Sequence, residues 1–359
     1  MTSNARASTT AGASLETEHA VAALYKFAPH TAETVAERVG FLQAHCVAFG
    51  ITGTLLLAPE GINGTISAER RTLERTIALI ESWPGFRGID VKWSSAEAPP
   101  FIRMKVRAKP EIVTMRTPDL DPARNAGTYV EPHDWNALID DPEVLVIDTR
   151  NAYEVALGSF DRAIDPGTAA FADFPGWVEA QADLKPGQKI AMFCTGGIRC
   201  EKATAFLTRQ GFDEVYHLKG GILGYFDAVP PEETRWRGEC FVFDRRVAVR
   251  HGAAPGAYQL CSVCRMPFET GVSGGGYADV DCPACQESQS QTRLARAGER
   301  RRQLAHAQAR GADHLGPLAQ AAPSTRTHSE TDANDHSCKA ADGGAARTSD
   351  LARPIKSRA

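Results

Sequence analysis

One segment near the middle of the chain reads Lys189-Ile-Ala-Met-Phe-Cys194-Thr-Gly-Gly-Ile-Arg199-Cys200-Glu-Lys-Ala. The run Lys189–Phe193 predicts a buried strand, and the residues after it predict a loop that leads into a helix. Gly196 and Gly197 let the backbone of this loop curl tightly, so that its amide N–H groups point at the thiol of Cys194. The segment therefore predicts a strand, a tight loop and a helix arranged around one cysteine.

This loop is also the best candidate for a reactive group. A helix N-terminus and a nearby guanidinium both favour the thiolate, which is the form of cysteine that attacks. Arg199 supplies that positive charge, and the strand–Gly–Gly–Arg–helix context disfavours an inert buried Cys194. Cys200 has two interpretations. It lies on one helical face with Ala203 and Phe206, which favours packing, but it is also placed to act as a resolving thiol for Cys194.

The segments around the loop alternate between strands and helices. Short apolar strands separated by helices predict a parallel sheet covered on both faces, with ligands bound beyond the carboxyl ends of the strands. The predicted strands are Val144–Ile147, Lys189–Phe193 and Glu214–Leu218, and the predicted helices are Pro175–Ala182, Glu201–Gln210 and Ile222–Ala228.

The same region resembles a rhodanese domain. The resemblance rests on five elements: Asp148-Thr149-Arg150 with Glu154, Gly158-Ser159-Phe160, Ala163-Ile164, the Cys194–Arg199 loop, and Lys219-Gly220-Gly221. It implies that the loop cysteine can carry sulfur as a persulfide. Related phosphatases have five residues between Cys and Arg, whereas four stand here, so the resemblance disfavours a phosphatase.

Upstream of this region, the chain predicts a small α+β unit of order βαββαβ, which is typical of a ferredoxin-like or acylphosphatase-like domain. Ser67 is the predicted cap of its second helix, which ends at Trp83-Pro-Gly85. Its predicted strands are Val21–Phe27, Thr52–Leu57, Gly61–Ser67, Asp90–Trp93 and a long final strand Phe101–Lys109, with a first helix at Thr31–Ala48.

The final strand alternates apolar and basic residues. A period of two places the apolar set on a core and the cations on the opposite face, where they form either a solvated face or an anion-binding ridge. The apolar set is Ile102, Met104, Val106 and Ala108, and the cations are Arg103, Lys105, Arg107 and Lys109.

A second group of cysteines stands near the C-terminal end. Two C-x-x-C pairs at this spacing favour a tetrahedral zinc site with four thiolates, with redox-active thiols or an iron–sulfur cluster as the alternatives. The predicted ligands are Cys261, Cys264, Cys282 and Cys285, and Gly274–Gly276 between the pairs predicts a tight turn. The preceding connector interleaves arginines with aromatics, which suits RNA contact or an ordinary exposed segment; its residues are Arg235, Trp236, Arg237, Phe241, Phe243, Arg245, Arg246 and Arg250.

Composition sets the wider frame. The 359 residues carry a formal charge of -4, so any RNA contact has to come from a local basic patch. No apolar run is long enough to cross a bilayer and no signal peptide is apparent, so we expect a cytoplasmic protein without a membrane partner. The predicted organisation is a disordered segment 1–19, an acylphosphatase-like domain 20–116, a linker 117–127, a rhodanese domain 128–235, a basic connector with the zinc-binding segment 236–286, and a disordered tail 287–359.

Several of these motifs occur together and in one order. Residues 20–286 resemble the bacterial tRNA uridine hydroxylase family in four features: the string Ala58-Pro-Glu-Gly-Ile-Asn-Gly-Thr65, the basic strand Phe101–Lys109 leading into Glu111-Ile-Val, the Cys194–Lys202 loop and the trailing cysteine pairs. The resemblance implies oxidation of the wobble uridine of tRNA to 5-hydroxyuridine by molecular oxygen, with Cys194 as the essential cysteine. We find no flavin, haem or nicotinamide motif. A plain sulfurtransferase and a non-catalytic RNA-binding protein are the alternatives.

Overall fold

The computed structural model describes residues 19–261, 264–269, 282, 285, 298 and 302. The segments predicted to be disordered, 1–19 and 287–359, and the predicted turn at Gly274–Gly276 lie outside the described residues, except for His19, Gly298 and Arg302. His19, assigned to the leading segment by the sequence, is the first residue of the first strand. Within the described part, no helix has the length and apolar character that a bilayer span requires.

The N-terminal domain is a five-stranded sheet with two helices. Its strand order is β4-β1-β3-β2-β5, in which β5 runs parallel to β2 and the other neighbours are antiparallel. Its elements are β1 (His19–Phe27), α1 (Ala32–Ala48), β2 (Thr52–Ala58), β3 (Gly61–Ala68), α2 (Arg70–Glu81), β4 (Asp90–Ala96) and β5 (Met104–Ala108).

The two helices cover only one face of this sheet. Alternation along the strands sends Leu24, Leu55 and Ile66 to that face, where they form a core with Leu42 and Leu73 of the helices. The α1 helix begins as expected, because the hydroxyl of Thr31 accepts a hydrogen bond from the Thr34 N–H. The acylphosphatase-like arrangement predicted from the sequence is confirmed, and neither α1 nor α2 covers the second face of its sheet.

Three details of this domain differ from the prediction. Ser67 does not cap α2, because its hydroxyl donates to the carbonyl of Ala20 within the sheet, and Glu69 stands at the cap position instead. The last strand is shorter than predicted and covers Met104–Ala108. Met104 and Val106 enter the core, but Ala108 is exposed because the sheet ends there.

The central domain contains a parallel sheet of order β6-β10-β9-β7. Its elements are α3 (Pro122–Asn125), β6 (Thr128–Val130), α4 (Pro132–Asp140), β7 (Val144–Asp148), α5 (Ala152–Val155), β8 (Gly158–Phe160), α6 (Phe174–Glu179), β9 (Lys189–Phe193), α7 (Ile198–Arg209), β10 (Val215–Leu218) and α8 (Gly221–Ala228).

Successive residues of β9 divide between two cores, one on each face of the sheet. Ala191 and Phe193 pack with α4 and α8, whereas Ile190 and Met192 pack with α6 and α7. The predicted doubly covered parallel sheet is therefore confirmed. Helix α7 is buried along its whole first two turns, from Arg199 to Leu207, and not on one stripe as the sequence indicated. The extra burial arises because the N-terminal domain packs against it.

The connector after α8 is folded onto the central domain. Its strands are β11 (Trp236–Gly238), β12 (Cys240–Phe241), β13 (Ala248–Val249), β14 (Tyr258–Leu260) and β15 (Pro267–Glu269). Strand β11 pairs with β8, which places the ring of Trp236 5.1 Å from that of Phe160 in the core. Strands β14 and β15 form a hairpin that leads into the cysteine pairs.

Candidate active site

Cys194 lies directly after β9, at the carboxyl end of the central sheet. Gly197 has a φ of 104°, and its N–H donates to the Cys194 sulfur at 3.1 Å. Two features disfavour any other residue at Gly197. Its positive φ is costly for residues with a Cβ, and a Cβ there would lie 2.8 Å from the Tyr25 hydroxyl. Helix α7 starts at the next residue, so its N-terminal dipole faces the sulfur.

The surroundings of Cys194 favour its thiolate. Burial on its own raises the pKa of a thiol, but four contacts act against it here. The Cys200 thiol, the Arg199 charge and the backbone N–H groups of Cys200 and Gly197 together lower the pKa of Cys194 to about 6. The group is therefore mostly ionised at neutral pH, as a nucleophilic cysteine requires.

Cys200 has the opposite character. Burial, followed by its contact with the Cys194 thiolate, raises the pKa of Cys200 well above the ordinary thiol value. It therefore stays protonated and acts as the donor of the pair, with the Thr149 hydroxyl 3.5 Å from its sulfur. It also packs in the core beside Met192 and Phe206. Both interpretations of Cys200 remain open, because packing and thiol contact occur together.

Arg199 is bound by a buried carboxylate. Its two terminal nitrogens donate to the oxygens of Glu154 at 2.6 and 2.8 Å, and one also reaches the Thr195 hydroxyl at 3.3 Å. Burial raises the pKa of Glu154, but the charge and hydrogen bonds of Arg199, the Arg150 charge and the Asn151 N–H together outweigh burial and hold this pKa below its ordinary value. The Arg199–Glu154 pair holds the loop in one geometry. It has no net charge, and its guanidinium lies on the side of the thiolate.

The loop is also held from its other side. The N–H groups of Ile222 and Leu223, in the first turn of α8, donate to the carbonyls of Cys194 and Thr195 at 2.9 and 3.1 Å. A Cβ at Gly221 would lie 2.5 Å from the Cys194 carbonyl oxygen, which explains the glycine there. The predicted glycine turn after β10 therefore supports the backbone of the loop.

The N-terminal domain completes the site. Tyr25, on the face of its sheet that carries no helix, donates from its hydroxyl to Glu201 of α7 at 2.8 Å. Tyr129 also bonds Glu201, and burial is the largest cause that raises the pKa of this carboxyl. The side chain of Cys194 itself is 0% exposed, so a substrate reaches the sulfur only after the covering groups move.

A second set of contacts across the domain interface was missed by sequence reasoning. The ammonium of Lys202 on α7 lies 3.0 Å from Glu60 and also binds Glu111 and the carbonyl of Val113. Glu60 belongs to the turn between β2 and β3, and it also accepts from the N–H of Ile112. The only sequence signal was the position of these carboxylates in the Ala58–Thr65 and Glu111-Ile-Val motifs.

The predicted RNA-binding residues occupy two places. Arg103 and Lys105 are half-buried, and Arg107 and Lys109 are exposed, along the edge strand β5 and its flanks. Arg246 is largely buried between Asp244 and Ser94, so it links the connector to β4. Arg245 donates its backbone N–H to Pro100. Arg246 therefore lies at β4, the edge of the sheet opposite β5, whereas Arg245 contacts the residue directly before the predicted basic strand.

The aromatic residues of the connector do not form a stacking surface. Trp236 and Phe241 are buried, and only Phe243 is exposed. Base stacking through Trp236 or Phe241, which the sequence pattern suited, is therefore excluded in this arrangement, because both rings are used in the core.

The four C-terminal cysteines converge. The sulfurs of Cys261, Cys264, Cys282 and Cys285 all lie within 4.8 Å of one another, and Cys264 and Cys282 are 3.7 Å apart. A tetrahedral ion with Zn–S bonds of about 2.3 Å separates its sulfurs by about 3.8 Å. The N–H of Cys282 donates to the Cys261 sulfur at 3.3 Å. The residues therefore fit a single metal ion with four thiolate ligands.

Fold and site together define a class: a protein with an acylphosphatase-like domain packed onto the reactive loop of a rhodanese-like domain. Residues 19–112 match the family described as UPF0176 acylphosphatase like domain, and residues 131–228 match the rhodanese-like domain. Similar proteins named tRNA uridine(34) hydroxylase occur in Caulobacter vibrioides (54% identical over 305 residues), Mesorhizobium japonicum (52% over 299) and Agrobacterium fabrum (51% over 300).

These alignments cover 82% of this chain in each case, and 96%, 96% and 94% of the three relatives. The chain belongs to the tRNA uridine(34) hydroxylase family. The family resemblance found from the motifs of the sequence is confirmed.

Proposed function

We propose that this protein hydroxylates the wobble uridine of tRNA to 5-hydroxyuridine, with the Cys194 thiolate as its nucleophile. The observation that carries the proposal is a thiol of lowered pKa at the junction of the two domains, in a chain 51–54% identical to proteins named for this activity. Molecular oxygen is the proposed co-substrate.

The role of the thiolate follows from the chemistry of uracil. C5 of the ring is a poor nucleophile while the C5–C6 double bond is conjugated to the C4 carbonyl. If the Cys194 sulfur adds to C6, a C–S bond forms and the electron pair moves through C5 to O4, which makes C5 electron-rich. Loss of the C5 proton later expels the thiolate and restores the double bond.

The oxidation balances with a thiol as reductant. One atom of dioxygen goes to C5 and the other leaves as water, while two thiols of the added reductant are converted to a disulfide. The Gly197 N–H and the Cys200 thiol both donate toward the Cys194 sulfur, and we assign them the stabilisation of the thiolate as it arrives and leaves. Arg199 with Glu154, together with Gly196 and Gly197, holds the loop in shape.

The other predicted sites support the same function. Arg103, Lys105, Arg107 and Lys109 are proposed to contact RNA phosphates. Zinc is the proposed ion of the four-cysteine cluster, where Cys261, Cys264, Cys282 and Cys285 would hold it. Such a closed site supplies folding energy to a small segment and no open coordination position for catalysis.

A sulfurtransferase would need the Cys194 loop alone. It would leave unexplained the basic strand and the contacts of Tyr25 and Lys202 that couple the N-terminal domain to the loop. No observation on the described residues favours it over hydroxylation.

The test is nucleoside mass spectrometry of tRNA incubated with the purified protein and a thiol reductant, in air and in an oxygen-free chamber. We expect uridine to gain one oxygen in air only. Absence of oxidised uridine in both tubes, together with rapid thiocyanate formation from thiosulfate and cyanide, would overturn the proposal in favour of sulfur transfer.

A further inference from the structure

The face of the N-terminal sheet opposite α1 and α2 has a row of polar and small residues. The strand register places Lys105, Thr54, Thr65, Ala23 and Lys92 side by side across β5, β2, β3, β1 and β4. Five neighbouring strands span about 19 Å at the usual spacing of about 4.8 Å. The row therefore crosses the whole sheet, with a lysine at each end and small residues between them.

Both flanks of this row are bounded by other parts of the chain. On one side, Tyr25, in the next row of the same face, is tied to Glu201 of the rhodanese-like domain. On the other side, Arg246 of the connector binds Ser94 and Ser95 of β4. Residues Thr54, Thr65 and Ala23 between them remain partly exposed. The row is thus the floor of a trough, which we call the threonine trough.

One end of the threonine trough carries uncompensated positive charge. Among the described residues, Arg103, Lys105 and Arg107 have no ion-pair or hydrogen-bond partner for their side chains. Burial, followed by the like charges of Arg103 and Arg107, lowers the pKa of Lys105. Mutual repulsion of this kind is relieved when a polyanion binds.

The floor offers free hydroxyl groups. Within the described part of the chain, the side chains of Thr54 and Thr65 make no hydrogen bond, whereas the neighbouring Thr52 hydroxyl donates to the Ser67 carbonyl and the Asn63 amide donates to Ile112. Threonine hydroxyls both donate and accept, so they can bind a phosphate oxygen or a ribose 2′-OH.

The other end of the trough reaches the reactive loop. The Lys92 ammonium lies 2.9 Å from the position that a Cβ at Gly220 would take, and it is paired with Asp90. Gly220 precedes Gly221, which packs against the carbonyls of Cys194 and Thr195. An extended ligand that lies in the trough from Lys105 to Lys92 therefore ends beside the loop of Cys194.

We propose that the threonine trough binds the single RNA strand that carries the target uridine, through its phosphates and 2′-hydroxyls. This inference rests on the proposed function and adds the path of the substrate. The row contains no aromatic residue for base stacking, so we expect contact with the sugar–phosphate backbone and little dependence on the flanking bases. Lys105 and Arg107 receive the strand, Thr54 and Thr65 hold it, and Lys92 contacts it beside the loop.

The first experiment measures the affinity of the full chain for a stem–loop RNA with the target uridine in its loop, by fluorescence anisotropy at several salt concentrations. The double variant Lys105→Gln, Arg107→Gln is expected to reduce the slope of log K against log salt by about 1.4, or about 0.7 for each phosphate that is no longer neutralised. The matched control is Arg71→Gln, Arg75→Gln, which removes two exposed cations from α2 on the opposite face and leaves the slope unchanged.

The second experiment tests the floor. The double variant Thr54→Val, Thr65→Val keeps the shape and removes both hydroxyls, and we expect binding about tenfold weaker. Wild type should discriminate against the same stem–loop with 2′-deoxyribose in the loop, and the valine variant should lose that discrimination. An unchanged slope and unchanged ribose preference would overturn the proposal and assign the trough to another partner. The uridine oxidation assay tests the proposed function separately from the RNA-binding role of the trough. If the wild-type protein oxidises uridine while the trough variants bind RNA normally, the trough proposal is wrong and the proposed function still holds.

Discussion

The two cysteine sites of this chain are stabilised in opposite ways. The Cys194 loop is held by the fold around it: by α8 from one side, by the Arg199–Glu154 pair from within, and by Tyr25 of the other domain. Among the described residues, the core of the four-cysteine cluster is formed by the cysteines themselves and one large apolar side chain, Phe268. In the first site the fold determines the chemistry of the cysteine. In the second, we expect an ion bound by the cysteines to stabilise the fold of the segment.

The largest expected effect is on activity at the loop. Cys194→Ala should lower the rate of uridine oxidation by at least about a thousandfold, because the neighbouring thiol, Cys200, is kept protonated chiefly by burial and cannot replace the thiolate. The free energy of unfolding should change by only about 1 kcal/mol, since a single sulfur is removed from a site held by other groups. Both are measured on one preparation, by nucleoside mass spectrometry and chemical denaturation. Turnover at the normal rate would contradict the proposed role of Cys194.

The next effect tests whether the domain interface stabilises the loop. Lys202→Met should cost about 3 kcal/mol, since it leaves Glu60 and Glu111 facing each other without their buried cation. The control Glu74→Gln breaks the exposed pair with Arg70 and should cost less than about 1 kcal/mol. The free energy of unfolding of the wild type and the two variants is measured by chemical denaturation. Equal stability of the two variants would show that Lys202 does not join the domains.

At the four-cysteine cluster, substitution should remove the ion. Cys261→Ser is expected to reduce the zinc content from one ion per chain to less than about a tenth of that and to expose the segment after β14 to proteolysis. Cys46→Ala, which changes a buried core cysteine of α1, should keep its zinc. The zinc content of both variants is measured by elemental mass spectrometry. A Cys261→Ser protein with full zinc content would exclude the four-thiolate site.

The smallest effect concerns the pH dependence at the loop. The pKa of Cys194 is about 6, so activity should be full at neutral pH and fall as the pH drops through this value and the thiolate is protonated. Cys200→Ala removes one of the donors that lower this pKa, so the pKa should rise and the acidic limb of the rate profile should move to higher pH. The decline in rate at pH 7 should be severalfold. An unmoved limb would leave Cys200 as a packing residue.

The elements of both domains were predictable from the pattern of their apolar residues. Strand β9 agrees with its predicted bounds because a short, continuous apolar run is typical of a strand buried on both faces. Helix α1 and strand β2 agree within a residue because their apolar residues recur toward one core. The Cys194 loop was predictable for a local reason: the glycines and Arg199 lie within six residues of one another along the chain.

The domain interface could not be predicted in this way. Glu201 and Lys202 are charged, so the sequence indicates that they face solvent. They are buried because helix α7 packs against both domains. Their partners Tyr25 and Glu60 lie more than a hundred residues away, and a local sequence pattern does not indicate such pairs. Ser67 shows the same limit. The sequence indicates that its hydroxyl caps the following helix, but in the structure the hydroxyl donates to the carbonyl of Ala20 on the neighbouring strand.

The central claim is that a thiolate held by the fold activates uridine toward molecular oxygen. It is tested most directly by incubating tRNA with wild type and with Cys194→Ala under isotopically labelled dioxygen, followed by nucleoside mass spectrometry. We expect labelled 5-hydroxyuridine with wild type and none with the variant. Unlabelled 5-hydroxyuridine, with its oxygen from water, or equal labelling by the variant would contradict the claim.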